Sequence, residues 1–522
     1  MKKILYISLL ALVPVFFSCV EDLGNDTISD INKITISGIE ESYSVISQAE
    51  TLTITPEIKG SISSNESDLS YEWFLCNNGL SDSEHKHTLI GTERNLVYPA
   101  NAAPSSYTLY FAVTDKSTGL KWEQSTSLKI VSPMVRGYYL LGDKADGTVG
   151  IDFVSMIDGR DNSLVKDIFV NSKGLKGAQD LFFTGYYYNE GAVSLWIVTE
   201  SGSHPMEHTA SMVNVDILPT PAKAEDFIFP TVPVSKPMKV QMIWPRPVGK
   251  TNANQAGNAR IMATENELFS GSFYSWPEAY GNPMNCYSSG SSDLFKPSKY
   301  VFYPKNSTYI TGLCFFDETN SRFVRINTNL RYTPAYCVKL TNTGTPFYFD
   351  QTQYESVRSL VYGENGYGNA GRCYALMTNA EGEYFVYWMK VPSYSSVTAE
   401  AEHIIDMSVA TEFAQASHHT FYSMQPIVLY SVGAKLYAYD YIRKECKLIN
   451  TFDGDITYLK MDYDANDDTN HMLVATYSNG TGKLYSYSVE DNQNAINVTA
   501  VQGAEYTTDK KIVKVEYRNS TW

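Results

Sequence analysis

The chain has 522 residues, enough for two or more domains and a sizeable core. Its 41 basic residues stand against 57 acidic ones, a net charge of -16 without a basic patch, which argues against nucleic-acid partners. Aromatic residues make up 13% of it, 39 of them Tyr, and stretches of helical period are scarce, so the fold class expected is all-β.

Residues 1–19 read as a signal peptide. Lys2-Lys3 precede an apolar run from Ile4 to Phe17 that is short for a membrane-spanning helix, and Ser18-Cys19 closes it. A small residue directly before a cysteine resembles the bacterial lipoprotein processing site, although Phe16 stands where Leu is commoner. That resemblance implies Cys19 as the lipidated N-terminus, and Glu21-Asp22 resembles the surface-export signal of Bacteroidetes lipoproteins. The implied location is the outer membrane, facing outwards; the alternative is an ordinary cleaved secretory signal. Residues 20–30 are polar and read as a flexible tether, in which Asp26-Thr27-Ile28 resembles an O-glycosylation motif of the same phylum.

Residues 31–132 read as an Ig/PKD-like β-sandwich. Strands are expected over 33–37, 51–58, 69–75, 96–98, 107–114 and 122–131, separated by Ser, Asn, Gly and Pro turns. Trp73 is placed like the buried tryptophan of an immunoglobulin-type fold, without a second cysteine to pair with Cys76. The run Tyr107 to Asp115 resembles the late strand of PKD modules, which implies a spacer role. His85 and His87 fall in a polar loop and lack the further ligands a metal needs.

Beyond Pro133 the chain repeats at intervals of roughly 50 residues, with strand-turn-strand signatures starting near Tyr138, Leu195, Arg260, Leu313, Cys373, Ile427 and Met472. Period-2 alternation after tight turns, as in Ala434-Lys435-Leu436-Tyr437-Ala438-Tyr439, marks hairpin strands. Residues 133–522 are therefore expected to form a β-propeller, with seven blades favoured and six or eight as alternatives. Two stretches share one pattern: Leu459-Lys460-Met461-Asp462-Tyr463 leads into further strands, whereas Val513-Lys514-Val515-Glu516-Tyr517 has almost nothing after it. The last strand, Ile512 to Arg518, must find its partner elsewhere, and Gly137 to Leu141 is the nearest unmatched segment, so the C-terminus closes the ring.

The lipoprotein signal, the PKD-like sandwich and a Tyr-rich repeat region opening with Arg136-Gly137-Tyr138-Tyr139-Leu140-Leu141 resemble the PKD-like family lipoproteins of Bacteroidetes. The resemblance implies a surface protein accessory to a starch-utilisation-type TonB-dependent transporter and its lid lipoprotein, assisting nutrient uptake by binding a glycan or a peptide. It brings no catalytic signature.

Motifs that suggest chemistry have plainer explanations. His204-Pro205-Met206-Glu207-His208 matches a zinc-peptidase pattern that needs a helix, but its flanks look like a turn between strands. Gly366 to Gly371 fits GxGxxG yet leads into a strand, so a floppy interstrand loop is expected. Asp462 to Asp468 begins like a calcium loop without its sixth-place Gly or twelfth-place Glu. His418-His419 and the dispersed cysteines 76, 286, 314, 337, 373 and 446 form no metal framework, and the cysteines read as small buried residues. No cofactor, metal or nucleophile is expected, and the protein reads as a binder rather than an enzyme.

Binding then falls to aromatic surface, because aromatic faces give large contact area with few rotamers to freeze. The insert 270–300 carries Phe273, Tyr274, Trp276 and Tyr280; Tyr186, Tyr187 and Tyr188 form a second group, and Trp244 precedes Pro245-Arg246-Pro247. Packing between blades or at a protein interface is the competing explanation. Trp196 and Trp388 are expected in the core. The alternatives to a binding subunit are a purely structural assembly subunit and a propeller hydrolase with central carboxylates.

Overall fold

Apolar–polar alternation produces strands almost throughout the computed structural model, which describes residues 30–77, 87–186, 189–207, 212–244, 259–272, 279–305, 310–393, 396–463, 470–490 and 495–518. In the first domain a five-stranded sheet runs Ser42–Ile46, Lys121–Val131, Ser105–Asp115, Leu69–Asn77, His87–Gly91. Two smaller sheets accompany it, Ile34–Ser37 with Glu57–Gly60 and Thr51–Ile54 with Leu96–Pro99. Trp73 is fully buried at the centre of the shared core, its ring 4.3 Å from that of Phe111 and its Nε1 donating to Glu93 O at 3.1 Å. The strand expected over 51–58 is two, broken at Thr55-Pro56, where proline has no N–H to donate, and its halves pair in different sheets. His87 opens a strand rather than lying in a loop.

From Gly137 the described strands fall into seven antiparallel sheets of three or four strands, one per blade. Blade 1 runs Ser163–Val165, Val149–Ser155, Gly137–Asp143, Lys511–Arg518, and the blades follow in chain order to blade 7, which holds Asp455–Met461 innermost. The seven repeat starts fall on or beside the second strand of each blade. A separate cluster of buried side chains fills each gap between successive blades: Trp196, Phe227 and Ile243 lie between blades 2 and 3, for example. The seventh cluster joins Leu473, Ala475 and Leu484 of blade 7 to Tyr138, Leu140, Ile512 and Val515 of blade 1. Seven sheets with seven intervening clusters make a closed ring.

The C-terminal strand closes it. Lys511–Arg518 pairs antiparallel with Gly137–Asp143, from Gly137 opposite Arg518 to Asp143 opposite Lys511, and becomes the innermost strand of blade 1. Pairing removes the open edge that either blade would otherwise present. Just before this strand the Lys510 ammonium lies 2.8 Å from Asp152, 2.9 Å from Asp167 and 2.7 Å from Asp509, and Thr508 donates to Asp152. Gly150 makes room for it, since a Cβ there would meet the Lys510 side chain at 2.4 Å. Against the desolvation that burial imposes, the three carboxylates raise the Lys510 pKa; Lys144 together with Lys510 holds that of Asp167 below the usual range, and Lys510 does the same for Asp509.

Candidate functional site

The innermost strands carry the ring's polar interior. Glu364, on Ser359–Asn365 of blade 5, is 4% exposed and accepts from the Thr420 hydroxyl at 3.0 Å and the Phe421 N–H at 2.6 Å, both of blade 6. Lys460 of blade 7 reaches the same carboxylate at 2.9 Å and the Tyr362 hydroxyl at 3.1 Å. Tyr362 meets Tyr300 of blade 4 edge to face at 5.3 Å, and burial pushes the Tyr300 phenol up to about 12. On the other side Lys514 of blade 1 pairs with Asp180 of blade 2 at 2.7 Å. These carboxylates are each neutralised by a lysine from another blade, so the arrangement ties blades together across the ring.

The aromatic segments lie elsewhere, and topology relates them. In a blade that meanders antiparallel, the connection from first to second strand and that from third to fourth leave at the same end. Ala178–Tyr186 and Asn189–Thr199 are the first two strands of blade 2, so Tyr186 sits at that end. Val240–Trp244 and Ala259–Thr264 are the first two strands of blade 3, which places Trp244 there too. Its third strand, Leu268–Ser272, meets the returning chain where Gly271 bridges Tyr280. Three segments far apart in sequence thus converge on one end of two adjacent blades.

Within that group the structure separates lining from core. Trp244 is 1% exposed in the cluster between blades 3 and 4, its ring edge-on to Tyr303 at 6.5 Å, so it packs the core and presents no binding face. Tyr280 is likewise 1% exposed, and burial raises its phenol well above the ordinary value. Both are corrections to the sequence expectation: Trp244 at a strand end and Tyr280 in the returning segment each turn the ring into a gap between blades. Phe273, Tyr274, Trp276, Tyr187 and Tyr188 lie outside the described residues, as do Cys19, the tether to residue 29 and the side chain of Tyr186.

Two aromatic residues missed in the sequence are prominent here. Phe229 is 67% exposed, and its N–H donates to Tyr280 O at 2.8 Å. Tyr332, 68% exposed, lies in the connection between Arg322–Ile326 and Cys337–Lys339 of blade 4, which Ser270 grips by donating to Pro334 O. They therefore stand beside the two ends of the chain stretch that carries Phe273 and Trp276. The signal was legible: Phe229-Pro230 repeats the aromatic–proline pair of Trp276-Pro277, and Tyr332-Thr333-Pro334 sets the proline one residue further on. Exposed rings of this kind can stack on sugar faces or take up apolar side chains.

The remaining motifs resolve structurally. His204 sits on the strand Gly202–Met206 with Nδ1 2.8 Å from Ala222 O, so the helix that a zinc pair requires is missing there; His208 lies outside the described residues. The GxGxxG stretch is a pinned turn rather than a floppy loop: Gly368 N donates to Ser423 Oγ at 2.9 Å, and a Cβ on Gly368 would meet Met424 Sδ at 2.6 Å. Asp462 takes the Tyr138 hydroxyl across the ring closure. Adjacent on one strand, His418 and His419 point to opposite faces; His418 Nδ1 lies 2.9 Å from Ser431 Oγ, and burial holds His419 down at about 4. Among the described residues no group of three or more His, Cys, Asp or Glu could hold a metal. The six cysteines there are free, and all but Cys446 are buried. Trp196 is core, and Trp388 is half-buried under Arg372 at 3.7 Å.

Residues 19–179 match the model of the PKD-like family, a stretch that covers the sandwich and continues through the outer strands of blade 1. No curated protein matches the chain. Among solved structures it is similar to a quinonprotein alcohol dehydrogenase-like protein from Bacteroides thetaiotaomicron VPI-5482, at 12% identity and TM-score 0.37 over 91% of this chain and 96% of that one. The extracellular domain of a one-component system from B. thetaiotaomicron follows at 10% and 0.33, over 88% and 67%. The WD40 domain of SCAP from fission yeast stands at 11% and 0.32, over 66% and 73%.

Proposed function

We propose that this protein is a cell-surface lipoprotein of the outer membrane, anchored through Cys19, that serves as a non-enzymatic binding subunit for a glycan or peptide nutrient beside a TonB-dependent transporter and its lid lipoprotein. The observation that carries the reading is the convergence of aromatic segments on one end of blades 2 and 3, with exposed Phe229 and Tyr332 alongside. Phe273, Tyr274, Trp276 and Tyr186 to Tyr188 are the residues assigned to ligand contact, and Trp244 and Tyr280 support them from the core. Engagement of Glu364 and Asp180 by lysines favours binding over hydrolysis, because a glycosidase needs one carboxyl group free to give up a proton.

The full chain is tested on glycan arrays and in peptide pull-downs against its W276A and F229A/Y332A variants. Retention of a glycan or peptide that the variants lose supports the reading. Retention of neither, with outer-membrane proteins co-purifying, favours a purely structural assembly subunit, a reading to which the interior positions of Trp244 and Tyr280 lend weight. Turnover of a polymer, abolished by E364Q, would refute both.

A further inference from the structure

A sandwich followed by a propeller suggests a spacer with its joint near Pro133, since domain boundaries normally fall in exposed linkers. Here the boundary is buried. Ser132 is 2% exposed, its hydroxyl donating to Met212 O at 2.5 Å and accepting from Met134 N at 3.1 Å. Met134 lies wholly inside the cluster between blades 1 and 2. One such attachment fixes position but leaves rotation about it.

A second contact, well away from the first, removes that rotation. In the connection after Val149–Ser155 of blade 1, Arg160 extends to the sandwich, where Nη2 donates to Ser44 O at 2.9 Å and Nε lies 3.4 Å from the Glu50 carboxylate. Glu50 is itself held, accepting from Ile46 N at 2.7 Å. Between the two bodies lies a cleft of about 540 Å³ lined by Ile46, Ala49, Glu50, Arg160, Asp161 and Ser163. The stretch matching the family model also crosses this boundary without interruption.

We propose that the sandwich and the ring form one rigid body latched by Arg160, with no joint at residues 132–136. If Cys19 carries the lipid, as the functional reading has it, the sandwich acts as a bracket that holds the ring in one attitude relative to itself. The latch itself does not depend on that reading.

The test is pulsed electron–electron resonance between bioorthogonally attached nitroxides at Val97 of the sandwich and Leu448 of blade 6, both exposed, in the full chain. A single narrow distance distribution is expected, broadening in E50A/R160A while the melting temperature holds, because a partly exposed ion pair adds little to global stability. K483A, which removes an exposed ion pair within blade 7, should leave the distribution narrow. A broad distribution in the parent chain, or none of the expected broadening in E50A/R160A, overturns the proposal. Neither result touches ligand retention, which is read separately.

Discussion

Lys510 offers the sharpest test of ring closure. Its side chain is 1% exposed and that of Asp152 is wholly buried, so the pair sits in a medium that screens little. Lys510→Met keeps the aliphatic stem and removes the charge, leaving Asp152 with the Thr508 hydroxyl and the Asp167 N–H at 2.7 Å as donors. Breaking a buried pair by removing one partner costs about 3–5 kcal/mol, because the survivor keeps its desolvation penalty without its counter-charge. Asp167 and Asp509 are half-exposed and contribute little by comparison. For a body this large, each kcal/mol moves the melting temperature by roughly 2 °C, giving a drop of up to about 10 °C. K510M/D152N, which removes both charges, should recover more than half of the loss. Hydrogen exchange locates the effect: amides of Lys511–Arg518 and Gly137–Asp143 should exchange faster in K510M than those of blades 3 to 6. A K510M stability within about 0.5 kcal/mol of the parent, or no recovery in the double variant, would refute a closure held by this buried pair.

Trp244→Ala should cost about 3–5 kcal/mol and lower the melting temperature in a thermal scan, since its ring fills the gap between blades 3 and 4; loss of ligand with unchanged melting would reverse its assignment to the core. His419 is held neutral in the folded state down to about 4, while the unfolded chain protonates it near 6.5, so its stability contribution is full above 6.5 and lost as pH falls from there to about 4. Denaturant titrations at pH 7 and pH 4 should show His419→Phe losing about 3 kcal/mol less than the parent across that span. Gly368→Ala should destabilise by about 1–3 kcal/mol, read from its denaturation midpoint, because the added Cβ collides with Met424 and with the Ser423 carbonyl at 2.8 Å.

The ring was readable in the sequence because its repeats are local: a strand, a tight turn and a second alternating strand recur, and the second strands all formed where the repeats start. The closing strand was readable for a different reason, its pattern matching residues 459–463 with no partner downstream. Blade 4 was harder. Its innermost strand is reduced to two isolated bridges, Pro297 to Asp317 and Phe302 to Cys314, because Pro297 and Pro304 offer no N–H to a continuous ladder. In the sandwich, Ser42–Ile46 escaped notice because it pairs in parallel with Lys121–Val131, a long-range pairing that no turn announces. Composition picked out the aromatic segments, yet it could neither place them at one end of blades 2 and 3 nor assign each ring to surface or core. That choice depends on where a strand ends relative to the gap behind it, a three-dimensional fact.

Tyrosine shows why aromatic content overstates binding surface in such a fold. Sheets arranged radially diverge outwards, and the wedge between them needs side chains that are wide, long and polar at the tip. Tyr374, Tyr387, Tyr422, Tyr430 and Tyr439 are all fully buried between blades. Their hydroxyls end on polar partners: Tyr387 donates to Gln351 at 2.9 Å, Tyr430 to Thr411 O at 2.6 Å and Tyr422 to Asn470 at 2.8 Å, while Tyr439 accepts from Asp406 N at 3.1 Å. A leucine would leave the connecting segments unsatisfied, and an isolated hydroxyl would leave the wedge empty. Tyrosines on strands are thus accounted for by packing. The aromatic residues left for recognition are those within two residues of a proline in the connections, which is where Phe229 and Tyr332 are found.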